Sequence, residues 1–303
     1  MRIASSQFNN QMQQALESNQ SRVSTLLQQM SSGKRIIVPS DDPIASVRLL
    51  RLSREEASIA QYQDNISSLK SRLSQNETAL TSMTNDLLDV RDLMVWASDG
   101  GNSSNDLNAM AGKLATVRDS LLAECNARDD EGNYLYSGTT TQLPAIKYDP
   151  AAPVGSRYSF AGNTDKQMVV VGNGVTQYSN VSVEEMAGLL NHLDTATVAM
   201  AAPNANVNDP ATRSLITGAL DGIDATQRSL GQKIAGLGSS QNTLATLSGN
   251  HGSVSVANQQ IMSELGQQDY TEASIAMNAY MLALQATTKA YGKVSSLSLF
   301  DAI

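Results

Sequence analysis

The sequence predicts an α+β protein that is mainly α: an elongated coiled-coil helical bundle with an inserted β-rich tip domain. Two observations predict this fold class. Apolar residues recur at alternating steps of three and four over long stretches near both ends of the chain, which is the spacing of coiled-coil helices. Between these stretches, short apolar runs are separated by Gly, Pro and Asn turn signals, as in β-hairpins.

The composition suits packed helices and excludes several functional classes. Aromatic residues make up only 4% of the 303 residues, and long helices can pack with Leu, Ile, Met and Ala alone. The net charge of −8 repels nucleic-acid phosphates, and a single Cys with two His disfavours a metal site. No apolar run suits a membrane helix or a secretory signal. We therefore expect no cofactor, no metal, and neither nucleic acid nor a membrane as partner.

One long helix is predicted by an apolar seam whose steps of three and four alternate without interruption. Leu52 and Ala97 fall in the frame of this seam, which predicts a helix of about 46 residues. Asn76 is its polar member, a type of residue that fixes helix register. The seam positions are Ile59, Tyr62, Ile66, Leu69, Leu73, Asn76, Leu80, Met83, Leu87, Val90 and Met94.

Three further stretches keep the same spacing, and capping signals mark several of their ends. Asp42 and Asp209 each precede a Pro, Asp269 has capping-box spacing to Glu272, and Gly33 suits the end of the first helix. The further seams are Met12, Leu16, Asn19, Val23, Leu26 and Met30; then Leu107, Met110, Leu114, Val117 and Leu121; then Ile216, Leu220, Ile223, Gln227, Leu230, Ile234, Leu237, Gln241 and Leu244.

These patterns divide the chain into three predicted domains. Residues 1–42 with 270–303 form terminal helices of an inner assembly domain. Residues 43–132 with 206–269 form a coiled-coil rod. Residues 133–205 form the β-rich outer domain, with one short helix at residues 184–193.

Residues that could carry chemistry are scattered along the sequence. His192 falls in the predicted short helix and His251 in a predicted turn beside Gly252, and neither has a second ligand at metal-binding spacing. Cys125 is predicted to be a buried small apolar residue. The sequence therefore predicts that the protein is not an enzyme, with an enzyme in the outer domain kept as a distant alternative.

Three arginines form a charged feature of another kind. Arg48, Arg51 and Arg54 share one helical face and have Glu55 and Glu56 next to them in the sequence. We interpret this face as solvated or as an ion-pair surface between subunits.

Several segments near the helix ends resemble one protein family. Residues 31–36 (SSGKRI) and 39–43 (PSDDP) resemble the turn by which flagellin and its relatives leave their N-terminal helix. Residues 133–138 (NYLYSG) resemble the family's entry into its outer domain, and segments within 279–286 and 296–300 resemble its C-terminal helix and tail. The match is closest to the hook-associated protein 3 family, the hook–filament junction proteins of bacterial flagella, within the flagellin-like superfamily. The turn motif comprises Gly33, Lys34, Arg35, Pro39, Ser40, Asp41, Asp42 and Pro43.

The resemblance implies an extracellular structural subunit of the bacterial flagellum that takes part in motility. It implies type III export without a cleaved signal peptide, and a homo-oligomeric ring that forms the junction between hook-associated protein 1 and the flagellin filament. It also implies a flagellar export chaperone as a partner. The alternatives are a minor flagellin filament subunit and a cytoplasmic coiled-coil adaptor or chaperone.

The terminal helices supply the residues predicted to pack with neighbouring subunits and partner proteins. An amphipathic helix that lacks a partner within its own chain suits packing with other copies. The predicted packing residues are Ile3, Phe8, Met12, Leu16, Val23, Leu26, Leu282, Ala286, Leu297, Leu299 and Phe300.

Overall fold

The structure is a computed structural model that describes the backbone of residues 2–300 and the side chains of residues 7–293. Its helices are α1 (Arg2–Ser32), α2 (Pro43–Ala97), α3 (Ser104–Cys125), α4 (Glu185–Met200), α5 (Pro210–Gly266) and α6 (Tyr270–Phe300). Its strands are β1 (Ile146–Tyr148), β2 (Tyr158–Phe160), β3 (Met168–Gly172) and β4 (Val175–Tyr178). β1 pairs with β2 and β3 with β4, both antiparallel and in separate sheets. The mainly α fold class is confirmed.

The helix ends follow the predicted capping signals. α2 begins at Pro43, and Asp42 Oδ1 accepts a hydrogen bond from the backbone N–H of Ala45 at 3.0 Å. α5 begins at Pro210, where Asp209 Oδ2 accepts from the N–H of Thr212 at 3.2 Å. In both places a side-chain oxygen satisfies an N–H that has no partner within the helix, because the first turn lacks carbonyls to accept it.

Residue contacts divide the chain into two compact units, to which α2 and α5 both contribute. Unit 1 comprises residues 1–59 and 252–303. Unit 2 comprises residues 60–251. The three-domain division made from the sequence stays a prediction.

Unit 2 is organised around a continuous apolar cluster that includes the predicted seams of α2, α3 and α5. Helix α4 packs against α3. Asp194 of α4 is almost fully buried and forms ion pairs with Arg118 at 2.9 Å and with Arg157 at 3.5 Å. The seam predictions for this unit are confirmed by side chains with little or no exposed surface: Ile66, Leu69, Leu73, Leu80, Met83, Leu87, Val90, Met94, Leu107, Met110, Leu114, Leu121, Ile216, Ile223, Leu230, Leu237 and Leu244.

Three local predictions need correction. α2 has 55 residues instead of about 46, because it begins at Pro43 beside the Asp42 cap and not at Leu52. The short helix α4 continues to Met200 instead of ending at Leu193, because its C-terminal half is buried against α3. The predicted turn at His251 and Gly252 is wrong, because both residues lie inside α5. The His251 ring stacks on Tyr62 with centroids 5.5 Å apart, and its Nε2 lies 2.8 Å from the carbonyl oxygen of Val171. Such contacts offset the cost of about 1 kcal/mol for a Gly inside a helix.

Candidate assembly surface

Unit 1 is built on the antiparallel packing of α1 and α6. The Tyr270 hydroxyl donates a hydrogen bond to the carbonyl of Met30 at 3.1 Å, and the Arg22 guanidinium lies 5.6 Å from the centre of the Tyr280 ring. Thus the beginning of α6 meets the end of α1. The predicted packing residues Met12, Leu16, Val23 and Leu26 are half-buried, whereas Phe8 is 38% exposed.

The turn after α1 is joined by hydrogen bonds to the turn between α5 and α6. Gly33 has a φ of 69°, and its carbonyl accepts from the N–H of Gln268 at 3.0 Å. Arg35 donates its backbone N–H to Gly266 at 2.8 Å and its side-chain Nε to the carbonyl of Leu265 at 3.2 Å. Arg35 therefore satisfies carbonyls at the C-terminal end of α5, where no helical N–H reaches them.

The two acidic residues of the motif organise the remainder of the turn. Asp41 Oδ2 accepts the backbone N–H groups of Ile37 and Val38, both at 3.0 Å. Asp42 caps α2 by accepting the backbone N–H of Ala45, and it forms an ion pair with the Arg35 guanidinium at 3.1 Å. These two interactions hold the pKa of Asp42 below its ordinary value. The predicted motif thus has a specific geometry, in which Arg35 and Asp42 join the C-terminal end of α5 to the N-terminal end of α2.

The other motif residues have simpler positions. Lys34 forms an isolated antiparallel bridge with Gln267, and its side chain is exposed. Pro39 and Ser40 are exposed at the tip of the turn, and Pro43 is the first residue of α2. Proline suits that position because its missing N–H is not needed there.

A second polar contact within unit 1 joins α2 to α5. Glu56 accepts hydrogen bonds from Ser255 Oγ at 2.6 Å and from Asn258 Nδ2 at 3.1 Å. The bond from Ser255 is the main cause that lowers the pKa of the Glu56 carboxyl. Sequence analysis missed this contact because its members lie about 200 positions apart and polar residues carry no periodic signal.

One face of α6 exposes an apolar stripe with heptad spacing. Ile275 is 66% exposed and Leu282 is 68% exposed, and the small residues Ala279 and Ala286 lie between and after them on the same face. Large and small side chains therefore alternate along the stripe, as they do where a second helix packs. Leu282 and Ala286 were predicted to pack with partners, whereas Ile275 was missed, although its spacing of four and seven residues to the next two members is a usable signal.

A mostly apolar groove of about 640 Å³ lies beside the turn motif. Ile37, Val38 and Pro39 of the turn line it together with Leu50 of α2 and Met262 of α5. Ile37, Val38 and Leu50 are 38%, 47% and 54% exposed. Unit 1 therefore presents an apolar groove in addition to the exposed apolar stripe of α6.

The packing predictions for Ile3, Leu297, Leu299 and Phe300 lie outside the described side chains. Of the possible reactive groups, Cys125 is buried and burial raises the pKa of its thiol, which disfavours the nucleophilic thiolate. His192 is exposed on α4. Within the part of the chain that the structure describes, no three metal-ligating side chains cluster, and no helix is long and apolar enough to span a membrane.

Comparison with known proteins identifies relatives over the whole chain. The family model for the bacterial flagellin N-terminal helical region matches residues 3–141. A solved structure described as a flagellar hook-associated protein from Vibrio parahaemolyticus is 32% identical, covers 75% of this chain and all of that chain, and superposes with a TM-score of 0.67.

Two curated relatives from Escherichia coli K12 distinguish the branches of the superfamily. Flagellar hook-associated protein 3 is 27% identical over 319 aligned residues, which cover 99% of both chains. Flagellin is 29% identical over only 109 residues, which cover 36% of this chain and 22% of the flagellin. The similarity to hook-associated protein 3 extends through the middle of the chain, and the similarity to flagellin does not.

Proposed function

The chain belongs to the family of flagellar hook-associated proteins, and from this membership we propose that it is the structural adaptor of the hook–filament junction in the bacterial flagellum. In this role it forms a ring between hook-associated protein 1 and the flagellin filament. The full-length match to hook-associated protein 3 supports this function over that of a minor flagellin, whose match is partial. It also supports the flagellum over a cytoplasmic adaptor.

The observation that carries the assembly function is the exposed stripe of α6. Ile275, Ala279, Leu282 and Ala286 present an apolar helical face that no described residue covers. Exposed apolar surface with heptad spacing is typical of helices that pack with a partner chain. A ring of identical subunits and two different neighbours along the axis would supply such partners.

The same stripe needs protection before assembly. An exposed amphipathic helix promotes aggregation and is a suitable ligand for an apolar groove. We therefore propose that an export chaperone binds α6 in the cytoplasm and that the chain then leaves through the type III apparatus without a cleaved signal peptide. Both steps are implied by the family resemblance, and the exposure of Leu282 supports the first.

We further propose that the protein acts without catalysis, as a purely mechanical element. Its charged side chains support this role through the contacts they make: Arg35 and Asp42 join helix ends, and Arg118 and Asp194 form a buried ion pair. These groups are engaged by one another instead of converging on a substrate cavity.

Deletion of residues 279–303 tests the proposal in cells that lack the native gene. We expect the truncated chain to keep the core of unit 2, because that core comes from residues 66–244. It should lose chaperone binding and filament retention, with flagellin released into the medium. Normal filaments on cells that carry the truncation would contradict the proposed function.

A point variant separates the stripe from the rest of the C-terminal segment. Leu282→Glu places a charge on the stripe, whereas Gln285→Glu places it at a neighbouring exposed position of the same helix. We expect filament loss with Leu282→Glu and normal filaments with Gln285→Glu. Immunogold labelling of the complemented cells should show the protein at the filament base, and labelling along the filament would favour a minor flagellin.

A further inference from the structure

A groove between α2 and α3 in unit 2 has the chemistry of a site for positively charged side chains. Its volume is about 510 Å³, and Asp89, Asp92 and Trp96 of α2 line it opposite Asp106 and Lys113 of α3. Trp96 is the only Trp of the chain and is 61% exposed. Three carboxylates against one ammonium leave the groove with negative charge around an accessible indole ring.

Two of the three carboxylates are available to a ligand. Asp106 is occupied as part of the α3 cap, where it accepts from Ser103. Asp89 and Asp92 are exposed and form no hydrogen bond or ion pair with any described residue. Arg91 lies between them in sequence and pairs chiefly with Asp224 at 2.7 Å, with Asp92 adding a weaker electrostatic attraction and no ion pair.

An aromatic face beside free carboxylates is a typical recognition surface for guanidinium groups. A carboxylate accepts charge-assisted hydrogen bonds from the guanidinium N–H groups. The indole face attracts the same cation through its quadrupole. The groove therefore fits a helix that presents arginines.

This chain itself presents such a helix face. Arg48, Arg51 and Arg54 of α2, here called the arginine ridge, are exposed, and none pairs with a described carboxylate. The nearby Glu56 is occupied by Ser255 and Asn258. Val47, which lies beside the ridge, is 68% exposed and adds apolar surface that suits contact with an indole.

The spacing of the two surfaces is the same. Asp89 and Asp92 are three positions apart on α2, as are Arg51 and Arg54, and both intervals correspond to a rise of about 4.5 Å along a helix. In the parallel arrangement two ion pairs can thus form in one register, Arg51 with Asp89 and Arg54 with Asp92. Side chains on one helix meet only when they are three or four positions apart. Arg51 and Asp89 lie on the same helix but much farther apart than that, so the ridge can pair with the groove only of another copy.

We propose that the groove of one copy binds the arginine ridge of a second copy, with Arg51 and Arg54 on Asp89 and Asp92 and with Trp96 covered by the docked helix. With the two helices parallel the contact is heterologous, since each copy contributes a different surface to it, and such contacts generate rings or open helices. This inference rests on the proposed assembly function and names one of its subunit contacts.

Charge exchange tests the contact in cells that lack the native gene. One variant reverses the ridge (Arg51→Glu with Arg54→Glu), one reverses the groove (Asp89→Arg with Asp92→Arg), and one carries all four substitutions. Lys70→Glu and Asp64→Arg are control changes at exposed positions elsewhere on α2. Export of every variant is measured in the medium, and its helicity is measured by circular dichroism.

We expect each reversed variant to retain about tenfold fewer filaments than the wild type, because like charges then meet in the contact. The four-substitution chain should recover most of the loss, since opposite charges meet again, and the controls should match the wild type. Normal filaments with both reversed variants would overturn the contact while leaving the junction function intact. Filaments on cells without any copy of the gene would instead overturn the junction function.

Two further measurements test whether the partner in this contact is a second copy of the chain. If the four-substitution chain retains as few filaments as the ridge variant, a different protein binds the ridge, and the proposal that a second copy binds it is wrong. In purified full-length wild type, Trp96 emission should shift to shorter wavelength as the chain self-associates, and the ridge variant should show no shift. Self-association of the wild type without a change in emission would overturn burial of Trp96 in the contact.

Discussion

The two units use the same heptad spacing but differ in what their seams bury. In unit 2 the seam of α2 is enclosed, and Leu73, Leu80 and Leu87 have at most 1% of their surface exposed. In unit 1, the buried apolar residues among those with described side chains are only Ala45, Ile59 and Ala273. Unit 2 therefore contains its own core, whereas unit 1 exposes the surface that would complete one.

This difference shows that one part of a single chain can have a complete apolar core while another part leaves its apolar surface exposed. Unit 2 gains the usual stabilisation of about 25 cal/mol for each Å² of apolar surface it buries. Unit 1 has little of that and is held chiefly by the polar contacts of Arg35 and Asp42 in its turn and of Glu56 between α2 and α5. Under the proposed function, partner chains would bury its apolar faces, and the folding of unit 1 would then be coupled to assembly.

The largest contrast is expected between two leucines at seam positions. Leu80→Ala should lower the free energy of unfolding by about 2–5 kcal/mol, because it leaves a cavity in the core of unit 2. Leu282→Ala should change it by less than about 0.5 kcal/mol, because Leu282 is already exposed. Denaturant unfolding of the purified chain measures both, with the exposed Ser71→Ala as a control. Equal losses for the two leucines would contradict the division into a buried and an open seam.

A smaller effect is expected from the turn of unit 1. Arg35→Ala removes the donor to the Leu265 carbonyl and the partner of Asp42. Since the Arg35 side chain is 43% exposed, we expect a local loss of about 1–2 kcal/mol, near the low end for bonds to charged groups. Hydrogen exchange at the start of α6 and the end of α5 reports it. The exposed Lys34→Ala should leave the exchange unchanged, and an equal effect of both substitutions would remove the special role of Arg35.

Replacing a glycine by alanine is expected to change stability in opposite directions in the two units. Gly33→Ala should destabilise unit 1 by about 1 kcal/mol, because an L-residue is disfavoured at positive φ. The added Cβ would also lie 3.3 Å from the Tyr270 hydroxyl. Gly112→Ala lies in α3, where a Cβ meets no atom within 4 Å, and should stabilise unit 2 by about 0.5–1 kcal/mol. Thermal unfolding compares the two, and stabilisation by both would show that the turn after α1 tolerates a side chain.

The smallest effect is a difference in pH response between two glutamates. The pKa of Glu56 is lowered, chiefly by the Ser255 hydroxyl. Its carboxylate therefore stabilises unit 1 above the ordinary pKa of 4.5, and this contribution is lost as the pH falls through the lowered value. The pKa of Glu124 in unit 2 is raised by burial, and its Oε2 has no hydrogen-bond partner among the described residues. Glu124 therefore favours unfolding as the pH rises above 4.5.

Isosteric variants measure this contrast. At neutral pH, Glu56→Gln should lower the stability of unit 1, and Glu124→Gln should leave unit 2 unchanged or raise its stability. Each substitution should also remove the corresponding part of the pH dependence. Hydrogen exchange resolved by unit between pH 3 and 7 follows both, and parallel changes in the two variants would contradict the opposite environments of the carboxyls.

Most of the helices follow from local rules that a sequence displays. Side chains three and four positions apart share a helical face, so the seam of α2 can be identified from spacing alone. Asp42 before Pro43 and the glycine at position 33 mark helix ends for equally local reasons, namely unpaired N–H groups and permitted backbone angles.

The contact partners of the site residues could not be predicted from the sequence, because they lie far away along the chain. Arg35 is visible as part of a family motif, yet its acceptor Leu265 is 230 positions distant. The turn expected at His251 fails for the same reason, since Tyr62 and Val171 hold that segment in α5. No local pattern records these contacts.

The sequence by itself determined that apolar stripes exist on these helices, where α1 ends and where α2 and α5 begin, and which family the turn motif resembles. Only the tertiary structure decided which stripes are covered. Leu73 and Leu282 both occupy apolar heptad positions, but Leu73 is 1% exposed and Leu282 is 68% exposed. The physical reason is that periodicity arises from bonds along one helix, whereas burial requires a second surface brought there by the rest of the chain or by another molecule.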